Sequence, residues 1–169
     1  MKKAMLGIFI SVFVWQLGFS QKLTYFESAT ILDEMPAFSK ANKELDSIAK
    51  IWNTEIDNKF KRIDQLYKEY VKNESGLSPE SRKKKQEEIF NAEKQANDFK
   101  EKKFGRDGDM AKLQEQKIKP LQDQVFGAAK ALAKEMGYDY VFDISMEGNW
   151  VYLNEDYDIT EMVKAKLGL

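Results

Sequence analysis

The stretch Asp46–Lys72, DSIAKIWNTEIDNKFKRIDQLYKEYVK, decides the fold of this chain. Apolar side chains recur along it every three or four residues, which is the spacing of an amphipathic helix with one narrow apolar stripe. The same spacing begins upstream at Ile31 and includes Trp52, Ile56 and Tyr70. Because the remaining positions are mostly charged or polar, this helix cannot build a globular core by itself, and we expect it to pair with another element.

A second charged stretch, Pro79–Lys103, carries a thinner stripe that contains Ile89 and two alanines. Gly76, just before it, is a typical helix-ending residue, and Ser78-Pro79 is typical of a helix start. The alanines allow a close approach of the larger side chains on the first helix. We therefore predict that Asp46–Lys72 and Pro79–Lys103 form an antiparallel helical hairpin.

Beyond the second helix, Gly105 and Gly108 predict a break or a loop. The helical spacing resumes at Met110 and continues to Met136, and Pro120 is expected to kink this segment. Gly137 then ends the helix. The returning arm of the hairpin is therefore expected to be interrupted and not to form one continuous rod.

The two ends of the chain carry short β-rich segments. We expect strands at Leu23–Phe26, Tyr140–Ile144 and Trp150–Leu153, and a final helix at Glu161–Leu167. A turn at Glu147–Asn149 would join the last two strands into a β-hairpin. Asp158 as N-cap and Glu161 three residues later would form a capping box for the final helix.

These patterns predict an α+β fold that is mostly helical, with a long helical hairpin that projects from a small β-rich body. We assign residues 45–119 to the hairpin, and residues 21–44 with 120–169 to the body. Such a body has few strands and the chain has no cysteine, so no disulfide can support it. Association between chains is the expected source of its stability.

Residues 1–20 are set apart from the fold. Lys2 and Lys3 precede an apolar run, Ala4–Trp15, and small residues follow at Gly18 and Ser20. This is the layout of a secretory signal peptide, with cleavage expected after Ser20. An uncleaved anchor is the alternative, although the apolar run is short for a membrane span.

Composition narrows the classes of function. The chain has neither histidine nor cysteine, so the commonest general base and the commonest metal ligand are missing. No pattern places a nucleophile, a base and an oxyanion donor together, and we expect no enzyme, no cofactor and no metal. Charge is uneven, because Lys59–Lys119 carries +5 while the flanking stretches Gln21–Asn58 and Pro120–Leu169 carry −3 and −5.

The order of these elements resembles the Skp/OmpH family of periplasmic chaperones for outer-membrane proteins. The similarity covers the whole chain after residue 20, including the start of the first helix at Ile31–Pro36. Its most specific part is Ala129–Asp143, AKALAKEMGYDYVFD, where the family likewise has a helix, a glycine with an aromatic residue and a short strand. The motif Asp158-Ile159-Thr160 completes the resemblance, and the Gly105–Gly108 break departs from it.

The resemblance implies a homotrimer in which the β segments of three chains form a trimerisation body and three hairpins surround a cavity. It implies an ATP-independent periplasmic holdase that binds unfolded outer-membrane proteins in this cavity and prevents their aggregation, without nucleic acid. We also consider an anionic lipid or lipopolysaccharide surface as a further partner. The alternative is a structural coiled-coil adaptor that docks one folded envelope protein.

Two sets of residues are candidates for these roles. The client-binding candidates are Phe90, Tyr67, Tyr70, Arg82, Lys83, Lys84 and Lys85. The candidates for the body core or for contacts between subunits are Tyr25, Phe26, Val141, Phe142, Trp150, Val151 and Tyr152.

Each candidate has a plainer alternative. The basic run Arg82–Lys85 is an ordinary solvated helix start in that view. Trp52, Phe60 and Phe99 are assigned to the seam between the two helices. The aspartates near the C-terminus, at 143, 156 and 158, are assigned to turns and caps in preference to a calcium site.

Overall fold

The computed structural model describes residues 21–146 and 148–169. The signal peptide expected over residues 1–20, and Glu147 of the expected turn, lie outside the described residues. The chain is mostly helical with one small sheet of two strands, so the predicted α+β class is confirmed. No helix in the described part of the chain is long and apolar enough to cross a membrane.

The elements follow one another in the order β1 Leu23–Phe26, α1 Ser28–Glu34, α2 Pro36–Asn73, α3 Pro79–Phe104, α4 Asp109–Lys117, α5 Lys119–Met136, β2 Tyr140–Asp143 and α6 Thr160–Leu167. Single 3-10 turns lie at Glu74–Gly76 and Glu155–Tyr157. The chain divides into two compact units. The hairpin unit comprises residues 28–126, and the terminal unit comprises residues up to Glu27 together with Gly127–Gly168.

Proline and serine set the helix boundaries in the hairpin unit. Met35 is extended, with φ −76° and ψ 117°, because the following Pro36 disfavours the helical conformation in the residue before it. The helix expected to continue from Ile31 is therefore divided into α1 and α2. At the other end of the hairpin, the Ser78 hydroxyl oxygen accepts a hydrogen bond of 3.2 Å from the backbone N–H of Ser81.

Helices α2 and α3 form the predicted antiparallel hairpin. The break after α3 is also present, because α3 ends at Phe104 and α4 begins at Asp109. The helix is interrupted at Ile118, two residues before Pro120, in agreement with the kink expected there, since α4 ends at Lys117 and α5 starts at Lys119. Pro120 thus lies in the first turn of α5, where its missing N–H leaves no bond unmade.

The sheet in the terminal unit is parallel. Strand β1 pairs with β2 in the register Leu23 to Tyr140 and Phe26 to Asp143. The expected β-hairpin is wrong, because Trp150–Leu153 forms no strand. The other edge of β1 is bridged by Asp158, and the N–H of Ile159 donates to the carbonyl of Tyr25 over 2.9 Å.

Helix α6 starts one residue before the predicted position and lacks the predicted capping box. The Asp158 carboxylate accepts the N–H of Thr160 at 2.8 Å, as a local turn does. Glu161 does not reach back to the N–H of Asp158, which donates to the carbonyl of Glu155. The Glu161 carboxylate instead pairs with the Lys164 ammonium at 2.8 Å.

Candidate functional site

The tip of the hairpin has a small apolar core of its own. Leu66 and Tyr70 on α2 pack with Ile89 on α3, and all three are less than a tenth exposed. Tyr70 was expected to face a client, but its ring belongs to this core. Its hydroxyl donates to the Glu74 carboxylate at 2.9 Å and accepts from the Gln86 amide at 2.9 Å.

These bonds also affect the acidity of Tyr70. The hydrogen bond to Glu74, followed by burial of the ring, raises the pKa of the Tyr70 phenol above its usual range. The hydroxyl therefore stays protonated and continues to join the last turn of α2 to α3. Tyr70 consequently fixes the tip and is not available to a partner in this conformation.

Two other aromatic candidates do present their rings to solvent. Phe90 is 64 % exposed and Tyr67 is 58 % exposed. Phe90 directly follows the buried Ile89 on α3, so its side chain points away from the seam. Exposed aromatic rings of this kind are suited to transient apolar contacts with a partner.

The end of the seam farthest from the tip contains aromatic rings and lysines. Trp52 on α2 contacts Phe104 at the end of α3 edge to face, with ring centroids 5.8 Å apart. The Lys103 ammonium lies 4.5 Å from the centre of the Trp52 ring, and Lys59 lies 5.1 Å from that of Phe99. The seam prediction is confirmed for Trp52 and Phe99.

The seam prediction is wrong for Phe60, which is 41 % exposed. Ile56 is buried and Ile63 is half-buried, so Phe60 lies on the flank of the stripe. Val71, which the sequence analysis did not single out, is also exposed, at 53 %. Residues 60, 67 and 71 share one flank of α2 by helical spacing, and this spacing could have revealed them.

The basic run near the tip is largely paired with carboxylates of the same helix. The pairs are Lys84 with Glu80 at 2.9 Å, Lys85 with Glu88 at 2.8 Å and Lys83 with Glu87 at 3.8 Å. Arg82 donates from Nε to the carbonyl of Leu77 at 3.2 Å. The bond from Lys85 lowers the pKa of Glu88. Residues 80–88 contain four cations and three carboxylates, so the net charge presented there is small.

In the terminal unit, the seven body candidates separate into two groups. Tyr25 and Phe26 are buried and Val141 is half-buried. The other four are exposed in a single chain, namely Phe142 at 42 %, Trp150 at 49 %, Tyr152 at 80 % and Val151 at 98 %. Large apolar side chains with this exposure are typical of an interaction surface.

The exposed rings surround a cavity of about 630 Å³. Its lining includes Tyr25, Phe142, Trp150 and Tyr152, together with Tyr138 and Tyr157, which the sequence analysis missed. Phe142 and Trp150 contact each other with ring centroids 6.2 Å apart. The parallel sheet and the non-strand segment after β2 bring these rings together, so sequence spacing alone could not place them on one surface.

Acidic residues near this cavity serve local structure. The Asp143 carboxylate accepts the N–H of Ser145 at 3.0 Å, and Asp158 caps the turn before α6. This agrees with the turn roles predicted for Asp143 and Asp158, but the N-cap of α6 is Ile159, and Asp156 contributes its backbone N–H, which donates to Asn154 Oδ1 at 3.1 Å. Burial first, and then the nearby Asp158 and Glu155 carboxylates, raise the pKa of the Tyr25 phenol.

The long helical hairpin and the small parallel sheet make this a helical-hairpin protein of the α+β class. It presents exposed rings on the hairpin and an aromatic cavity in the terminal unit. The chain belongs to the family described as OmpH, outer membrane protein (OmpH-like), whose model matches residues 22–167. The predicted family resemblance is thereby confirmed.

A solved structure is similar in fold. It is that of a proposed outer membrane chaperone (OmpH-like) from Caulobacter crescentus CB15, with a TM-score of 0.63 and 11 % sequence identity. The alignment covers 88 % of this chain and 84 % of that one. At this identity the similarity concerns the fold alone. No curated protein gives a significant match.

Proposed function

We propose that this chain is an ATP-independent periplasmic holdase chaperone that binds unfolded outer-membrane proteins and prevents their aggregation. The observation that carries the proposal is a firmly packed hairpin that presents single aromatic rings, Phe90 and Tyr67, among charged side chains. Membership of the OmpH-like family and the chaperone designation of the Caulobacter protein support it.

The contacts with a client are weak one by one. Tyr67 shares its flank of α2 with Phe60 and Val71, and Phe90 is exposed on α3, so the apolar side chains are spread over the hairpin and each contact with a client segment is weak. Many such contacts inside a shared space add up through effective concentration. A holder of this kind retains a client that has no fixed structure and can also release it.

The active form in this proposal is a homotrimer with the client in the cavity between three hairpins. Strand β2 pairs only with β1 among the described residues, so one of its edges is open to another chain. The exposed rings of Phe142, Trp150 and Tyr152 are next to this sheet and would become covered on association. Tyr25 and Phe26 would remain the core of each subunit.

The proposal places the mature chain in the periplasm after removal of residues 1–20. Of the candidate cations, Arg82, Lys83 and Lys84 have exposed side chains, so they could meet acidic clients or anionic lipid and lipopolysaccharide head groups. Their carboxylate neighbours limit this attraction. We therefore assign the aromatic rings the larger part of client binding.

The test is suppression of aggregation when an outer-membrane β-barrel protein is diluted from urea into the mature chain. Suppression is expected to reach its plateau near one trimer per client. Phe90→Ala should raise the concentration needed, whereas Phe90→Tyr, which keeps the ring, should behave as the unchanged chain does. Absence of any suppression would refute the proposal, and a fixed complex with one natively folded protein would indicate the adaptor function.

A further inference from the structure

Helix α4, Asp109–Lys117, has no buried residue. Met110, Ala111 and Leu113 are half-buried at most, and the helix is only nine residues long. A helix of this length is marginal in water by itself, and α4 is joined to α5 only through Ile118, whose N–H donates to the carbonyl of Gln114 over 2.8 Å. Contacts other than a fully buried apolar face must therefore contribute to holding α4 in the hairpin unit.

One such contact lies at the start of α4. The Lys103 ammonium, at the end of α3, is 2.6 Å from the Asp109 carboxylate across the break between the helices. The Lys103 side chain is 18 % exposed, and its ammonium also lies over the rings of Trp52 and Phe99. A single cation thus links α2, α3 and the start of α4.

A second contact lies at the end of α4. The Lys117 ammonium is 2.6 Å from the Glu44 carboxylate on α2, and both side chains are partly shielded from solvent. The hydrogen bond from Lys117 lowers the pKa of Glu44, and the one from Lys103 lowers the pKa of Asp109. The carboxylate at the first residue and the lysine at the last also agree with the helix dipole of α4.

The break before α4 has a defined geometry. A β-carbon on Gly105 would collide with the side chain and the carbonyl oxygen of Glu101, and one on Gly108 would lie 2.9 Å from the carbonyl oxygen of Lys102. The N–H of Gly108 also donates to the carbonyl of Gly105 over 2.9 Å. The break is therefore a packed corner, so freedom of α4 must come from loss of its contacts with α2 and α3.

We propose that α4 is a strap that two ion pairs, Lys103 with Asp109 and Lys117 with Glu44, hold against α2, and that it detaches locally as ionic strength rises. Salt shortens the screening length from about 10 Å at 0.1 M to about 3 Å at 1 M, which is close to the 2.6 Å contacts themselves, so these partly shielded pairs are weakened only modestly. The tip core of Leu66, Tyr70 and Ile89 is apolar and stays closed under the same conditions. The strap thereby makes the base of the hairpin adjustable, whether or not a client is bound.

Hydrogen exchange measured by mass spectrometry on the mature full-length chain tests this proposal. Between low salt and about 1 M NaCl, amides in residues 109–117 are expected to exchange about fivefold faster, as for local opening with only modest electrostatic stabilisation. The double variant Asp109→Asn, Glu44→Gln should show the faster exchange already at low salt and lose the salt dependence. Lys103→Arg keeps the positive charge, so exchange in residues 109–117 should keep its salt dependence.

The matched control removes an ion pair elsewhere in the same unit. Lys68 and Asp64 are 2.6 Å apart on the exposed face of α2, and Asp64→Asn should leave exchange in residues 109–117 unchanged. The proposal would be overturned if the exchange rate of amides in α4 changed neither with salt nor in the double variant. Equal acceleration in residues 66–89 would overturn it as well, because the opening would then not be local to the strap.

Discussion

Neighbouring residues on α3 provide a sharp test of how the hairpin is built. Ile89 is 8 % exposed in the tip core, whereas Phe90 is 64 % exposed. Ile89→Ala removes three carbon atoms from the contact with Leu66 and Tyr70, at about 0.8 kcal/mol each. With a small cavity term at a site that can partly relax, we expect the tip to lose about 2–3 kcal/mol of stability. Phe90→Ala should change it by less than about 0.5 kcal/mol.

Hydrogen exchange of amides in the last turns of α2 and the first turns of α3 measures this difference. A loss of about 2–3 kcal/mol corresponds to roughly 30- to 140-fold faster exchange through local opening. Phe90→Ala should leave these rates nearly unchanged while it weakens suppression of client aggregation. Exchange rates within about threefold of the unchanged chain for Ile89→Ala would show that the tip has no core of its own.

Three further predictions follow from single contacts. Gly105→Ala forces a β-carbon into a neighbouring backbone carbonyl, so it should lower the stability by about 1–3 kcal/mol and lower Tm. Gly127→Ala, in open space within α5, should raise the stability by about 0.5–1 kcal/mol and raise Tm. Thr24→Val removes a buried hydroxyl that donates to a carbonyl at 2.6 Å, so thermal unfolding should show a loss of about 1–3 kcal/mol, and an unchanged Tm would contradict this. Lys103→Gln should raise the pKa of Asp109 towards its ordinary value of about 3.9 in an NMR titration. In the unchanged chain, the stabilisation from the Asp109 carboxylate is complete at pH values above the ordinary pKa of an aspartate. It is lost as the pH falls through the lowered pKa of Asp109 in the folded chain.

Local patterns predicted the helices and their boundaries well. Ser78-Pro79 starts α3, the Gly105–Gly108 break separates α3 from α4, and Gly137, with φ +71°, follows the end of α5. Each of these depends on the chemistry of one or two residues and on the backbone angles that they allow. Such signals are present in the sequence whatever the rest of the chain does.

Predictions that needed a neighbour in space were less accurate. Tyr70 and Phe60 fit the same helical stripe, yet Tyr70 is buried and Phe60 is on its flank, because the facing side chains of α3 decide which positions are covered. The paired state of Arg82–Lys85 was available from the spacing of Glu80, Glu87 and Glu88, since lysines and carboxylates three or four residues apart meet on a helix.

The sequence by itself determined that the chain forms a long, charged helical hairpin of the OmpH-like family, because apolar periodicity and helix-ending residues are local properties. Only the tertiary structure decided that β1 and β2 run parallel, that the segment after β2 is not a strand, and that six aromatic rings meet around one cavity. Strand direction and the identity of facing side chains depend on contacts between residues more than a hundred positions apart, as Leu23 and Tyr140 are. No local pattern encodes such contacts.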